Sequence, residues 1–266
     1  MEKPFHGFGV GKGWRSFSVG LVVLAFIIEA LTSTVALGAE SIGTVLKKRA
    51  DVYGTPTDGG RERKFPRGDV TFGELIETSG GSAVQIRLDD YSELYLGERA
   101  SLVVDDFVYD STTQQGRAVY EFTVGTLRFV SGEMEEIEIS IRTPNANIGV
   151  RGSDAIIFVT PAGATYVNVL QGSFTVTSRE RADISAVTVN AGQNVSLSGT
   201  SDFSSIGTGV RTPEPRSDSA VNAPDYAKDY ENVKKDGNLD RAAAGRESEG
   251  GGDSGSSSSS SSGSSH

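Results

Sequence analysis

The side chains in this sequence that could do chemistry are carboxylates, guanidinium groups, amines and hydroxyls. Imidazole and thiol are almost missing: the two histidines are His6 and His266, and there is no cysteine. Between residues 40 and 211 this excludes a Ser-His-Asp relay, a thiolate nucleophile and the common zinc and haem ligand sets. The acids gather as Asp89–Asp90 and Asp105–Asp106, with Asp110 close behind. A calcium ion takes about six to eight oxygen ligands, whereas adjacent residues of a strand point to opposite faces. No Asp-x-Asp-x-Asp-Gly loop is present. The acids therefore read as turn and edge residues, and no metal or cofactor is called for. Catalysis would have to rest on carboxylates, Lys, Tyr or hydroxyls; the sequence does not exclude two facing carboxylates of the glycosidase kind, but nothing in their spacing marks them.

A second set of residues lies in "TPNANIGVRGSD", Thr143 to Asp154. Pro144 should bend the chain after a strand over 137–142, because proline cannot continue a central ladder. Past the bend, Gly149 and Arg151 share one face and Ile148 and Val150 the other. Gly149 leaves room for a close approach, and Gly152 is expected to supply a positive-φ corner. Arg151 offers five donors in a rigid fork. The reading is a β-corner in which Arg151 satisfies unpaired carbonyls and pairs with Asp154. Contact with a ligand or partner is the alternative role for the same guanidinium. Tyr91, Tyr95, Phe107 and Tyr109 lie close in sequence and could form an exposed aromatic face for carbohydrate, although half-exposed tyrosines are also ordinary strand formers.

The elements that must position these residues are strands. Period-two alternation places Val84, Ile86 and Leu88 on one face, as it does Leu94 and Leu96; Tyr120, Phe122 and Val124; Ile137, Ile139 and Ile141. It recurs at Val167 and Val169, Phe174 and Val176, Val187 and Val189, and Val195 and Leu197. Turn-formers separate these bursts at intervals of about 8–12 residues, the rhythm of an all-β domain without interleaved helices. The expected fold is an antiparallel-dominated sandwich, roll or barrel of short strands. A β-solenoid-like stack is the alternative, carried only by the echo between "GTLRFVSG" and "GSFTVTSR".

Both ends differ from this core. Residues 1–39 have a basic start, an apolar run ("VGLVVLAFII") and a small-residue exit, the pattern of a secretory signal peptide. An uncleaved anchor is the rival reading, opposed by Glu29 within the stretch needed to span a bilayer. Residues 212–266 are rich in Pro, Ser, Asp and Gly and end in a serine tract, so they are expected to be disordered. Within them "DYAKDYENVKKD" could form a short helix, too short to persist alone. The domain is then 40–211. The net charge is −10, and loss of the leader would leave about −11, a balance that opposes nucleic acid and anionic membrane as partners.

The segments "RGDVTFGELIETSGGSAVQIRLDDYSELYLGERASLVV", "IRTPNANIGVRGSDAIIFV", "TYVNVLQGSFTV" and "VNAGQNVSL" together resemble the FecR domain family across about residues 41–198. The family tends to have Asp-Gly-Ser where this chain has Asp90-Tyr91-Ser92. The resemblance implies an exported all-β module related to signalling or scaffolding. The cytoplasmic anti-sigma region of the regulator members is not expected, since about 16 residues precede the apolar run. The functional expectation is a non-enzymatic, exported, periplasmic module that contacts an envelope protein or a cell-wall or polysaccharide component. Inner-membrane and extracellular placements are the alternatives, and membrane contact follows only if the leader is retained. The other functional readings are a membrane-anchored sensor and a carboxylate-dependent polysaccharide hydrolase.

Overall fold

The computed structural model describes residues 40–151, 154–198, 202–213, 225–232 and 234–235, with the side chains of 135–138 excepted. The expected leader, the serine tract and Gly152 lie outside the described residues. The strands in chain order are β1 Ser41–Arg49, β2 Val52–Thr55, β3 Glu62–Arg63, β4 Asp69–Thr71, β5 Leu75–Thr78 and β6 Ala83–Leu88. They continue with β7 Glu93–Leu96, β8 Ser101–Asp110, β9 Gln115–Val130, β10 Glu135–Arg142, β11 Ala146–Val150 and β12 Asp154–Val159. The last are β13 Thr165–Gln171, β14 Ser173–Ser178, β15 Val187–Asn190, β16 Gln193–Leu197 and β17 Gly207–Thr208. A short helix, α1, follows over 226–232.

The strands form two sheets. The first runs β4-β1-β6-β7-β9-β12-β13-β16-β17. The second runs β3-β2-β5-β8-β9-β10-β11-β14-β15. They meet in β9, whose residues up to Val124 pair in the second sheet and whose residues from Gly125 pair in the first. Gly125 makes that transfer possible. Its φ is +107°, a region closed to residues with a Cβ, and a side chain there would press on Ala100.

The strand faces follow the alternation. Ile86, Leu94, Leu127, Phe129, Ile157 and Val167 from the first sheet meet Ile76, Leu102, Tyr120, Phe122, Ile148 and Phe174 from the second in one buried cluster. Tyr120 and Phe129, on opposite sides of the bend, pack with ring centroids 5.6 Å apart. The expected antiparallel all-β fold is what forms, as facing sheets and not as a closed barrel. Among the described pairings only β9 with β10 is parallel, so the chain does not wind as a solenoid of parallel rungs.

Candidate functional site

The outer face of the second sheet carries a shallow trough of about 680 Å³ that crosses the strands. Register explains its shape. Val119 stands opposite Ser140, Ser140 opposite Gly149, and Gly149 opposite Thr175. These four side chains are small, so this row forms a low floor. The flanking rows lie two residues along each strand, about 7 Å away, and they carry Arg117 and Arg151 on one side and Glu121 and Arg142 on the other. A Cβ at Gly149 would meet only the Thr175 carbonyl, at 3.8 Å. The floor is therefore open to solvent at its centre.

The trough's charges are mostly paired. Arg117 Nε donates to Asp106 Oδ2 at 2.6 Å. Arg142 reaches Glu121 at 3.3 Å and Asp105 at 3.5 Å. Arg151 differs: among the described residues its guanidinium meets no acceptor, and the residue is exposed. Its backbone N–H donates to the Ser173 carbonyl at 3.0 Å, which holds the end of β11 against β14.

These positions revise the expected corner. Gly149 and Arg151 do share a face and both line the trough. Pro144 is exposed in a tight turn between β10 and β11, closed by Thr143 N–H to the Ala146 carbonyl at 2.8 Å. Asp154, however, is bound by Arg128 and not by Arg151. Arg128 Nε donates to Oδ1 at 2.9 Å and Nη2 to Oδ2 at 2.7 Å, with both side chains buried. The physical reason is register: Ile156 pairs with Arg128 and Asp154 with Val130, which brings β12 and β9 alongside. Arg128, not Arg151, is the arginine that holds Asp154 among the described residues.

Sequence reasoning also missed Asn145. Its Nδ2 donates to the carbonyls of Leu197 and Ser198 at 3.2 and 2.9 Å, and its Oδ1 accepts from Thr165 Oγ1 at 2.7 Å. A buried Asn beside Pro144 ties the β10–β11 turn to β16. The available signal was an amide set between Pro144 and Ala146 in a short turn. The aromatic face does not form. Tyr95 is buried on the outer side of the first sheet, Phe107 and Tyr109 lean on the core, and Tyr91 stands exposed at a turn.

The acids do not assemble a metal site either: no group of three or more ligating side chains gathers among the described residues. Asp90 is fully buried in its turn, receiving Ser92 N–H at 3.0 Å and Ser92 Oγ–H at 2.6 Å. Burial pushes its carboxyl up, against the lowering effect of those bonds.

The family model described as FecR protein matches residues 74–175. Over that stretch the chain is similar to a FecR domain. The floor and both walls of the trough lie within the matched stretch, as do Arg128, Asn145 and Asp154. Two crystal structures of a candidate anti-sigma factor from Parabacteroides distasonis ATCC 8503, at 2.50 and 1.65 Å resolution, are similar to the chain at 17% identity and a TM-score of 0.42. Each alignment covers 51% of this chain and 59% of the other, so the chain spans less than two thirds of those proteins. No curated protein matches.

Proposed function

We propose that this FecR-like protein is an exported, non-enzymatic binding module of a signalling or regulatory system. On this reading it works by seating an acidic segment of an envelope protein in the trough of the second sheet. The observation that carries the reading is Arg151, an exposed guanidinium with no carboxylate partner among the described residues, beside the open floor at Gly149. A guanidinium fork binds a carboxylate through two parallel bonds. Ser140 and Thr175 put hydroxyl groups on the same floor.

The trough lining has no aromatic side chain on which a sugar ring could stack, which favours polypeptide over polysaccharide. Its acids Asp106 and Glu121 are engaged by arginines. That arrangement suits contact better than proton transfer, as does the lack of imidazole and thiol between residues 40 and 211. Export rests on the signal-like pattern of residues 1–39. Among the described residues no helix is long and apolar enough to cross a membrane. The match of residues 74–175 to the FecR family model, together with the sequence resemblance to that family's regulator members, supports the signalling role.

The test is fluorescence anisotropy of the full chain with a labelled peptide of alternating Glu and Ser, against an alternating Gln and Ser control and against polygalacturonate. Binding of the acidic peptide should weaken about tenfold in Arg151→Ala, the loss of one charge-assisted contact. Preference for polygalacturonate would move the reading to a wall component. Equal binding of the Glu and Gln peptides, or indifference to Arg151→Ala, would overturn it.

A further inference from the structure

The outer face of the first sheet carries a second feature, independent of the trough. Helix α1 lies against it, although the surrounding segment has the composition of a disordered tail. Tyr226 inserts beside Phe158 with the rings edge-on, centroids 5.7 Å apart, and its hydroxyl donates to the Val159 carbonyl at 3.0 Å. One turn further on, Asp229 Oδ2 accepts from the Glu98 N–H at 2.9 Å and from Thr126 Oγ1 at 3.3 Å. Tyr230 packs on the same small cluster, which Ile156, Phe158 and Tyr226 form apart from the main core. The Asp225 N–H donates to Glu98 Oε1 at 3.0 Å and starts the helix.

The receiving surface is shaped for this spacing. Gly97 faces the Asp229 carboxylate, and a Cβ there would collide with it. The Glu98 N–H points into the cleft as a ready donor, and Thr126 supplies a hydroxyl beside it. Three residues away along a helix, an aromatic ring finds the Phe158 slot. The site thus reads an aromatic residue at i, a carboxylate at i+3 and a second aromatic at i+4, all on one helical face.

The hold on α1 is local. A helix of this length does not persist in water without tertiary contact, and its described contacts with the sheet centre on Tyr226, Asp229 and Tyr230. A short amphipathic helix in a preformed cleft is a standard recognition mode. We propose that the cleft around Gly97, Thr126 and Phe158 is a receptor site for a helix of another polypeptide bearing Tyr-x-x-Asp-Tyr, and that α1 is its exchangeable occupant in cis. The simplest source of such a helix is a second copy of this chain.

The experiment uses the full chain and a labelled synthetic peptide with the sequence of residues 224–236. The double variant Tyr226→Ala, Asp229→Ala removes the cis occupant's anchors. It should bind the peptide at least about tenfold more tightly than the unaltered chain, in which α1 competes. A peptide lacking the same tyrosine and aspartate should not bind. On the double-variant background, Gly97→Ala and, separately, Thr126→Val should each weaken binding about tenfold, with melting midpoints checked to show that each variant folds. Absence of peptide binding to the double variant would overturn the proposal. So would binding that survives both Gly97→Ala and Thr126→Val.

Discussion

Arg128 and Asp154, 26 residues apart in the chain, form a two-bond ion pair that is almost wholly buried on the outer side of the first sheet. The pair joins β9 to β12 at the rim where β9 has just crossed from the other sheet. Removing one member leaves a charge in a site that water barely reaches. Arg128→Ala should therefore cost about 3–5 kcal/mol, read from denaturant midpoints. Arg128→Lys keeps the charge but not the fork, and should fall between. Replacing both residues by apolar side chains of similar volume should cost much less than either single change, which distinguishes a stranded charge from lost packing.

Arg151 should behave in the opposite way. Its side chain is exposed, and the bond that holds β11 to Ser173 comes from its backbone. Arg151→Ala should leave the midpoint within about 0.5 kcal/mol of the unaltered protein. A loss as large as that of Arg128→Ala would restore the corner-holding role expected of Arg151.

Asp229 gives docking of α1 a pH dependence with a defined sign. Burial, first, and the nearby Glu98 charge push its carboxyl up to about 7, while the bonds from Glu98 N–H and Thr126 and the Arg49 charge pull it down. Lys47, Lys48 and Arg49 of β1 also line the cleft beside it, and Tyr226 shares its field. A free aspartate titrates near 3.9, so the docked state holds its proton more tightly than the undocked one. Docking is then strongest below about pH 4 and weakens as pH rises toward about 7, beyond which it changes no further. Hydrogen exchange across residues 226–232 should show greater protection at pH 5 than at pH 8 after correction for intrinsic rates. Asp229→Asn should flatten the difference. Protection that grew with pH would mean that the docked carboxylate is held ionised.

What could be read from the chain was what neighbouring residues decide. The core faces of Val84, Ile86 and Leu88, or of Phe174 and Val176, follow from alternation alone and are buried as expected. So does the shared face of Gly149 and Arg151. The errors concern partners distant in sequence. Asp154 was matched with the arginine three residues before it, because nothing local reveals that β9 lies alongside β12. The alternation at Tyr120, Phe122 and Val124 did not reveal that the strand runs on to Val130, since its apolar residues change sheet at Gly125 without leaving the extended conformation. Helix α1 was visible only as a weak tendency, because its stability comes from Phe158, Val159 and Gly97, some 70 to 130 residues earlier.

Tyr91 closes a turn in which the resembling family tends to have glycine, and the backbone keeps the conformation that glycine would suit. Its φ is +64°, its N–H donates to the Leu88 carbonyl at 2.9 Å, and its side chain is 59% exposed. A left-handed residue with a Cβ costs about 1–2 kcal/mol, and glycine gives back roughly 0.5–1 kcal/mol through its freer unfolded chain. Tyr91→Gly should thus raise stability by about 0.5–1 kcal/mol in denaturant titration. Tyr91→Val, which adds a branched Cβ at the same φ, should lower it. The neighbouring Asp90 carboxylate, fixed by Ser92, holds the turn in either variant. A destabilised Tyr91→Gly would show instead that the exposed ring contributes packing that outweighs its backbone strain.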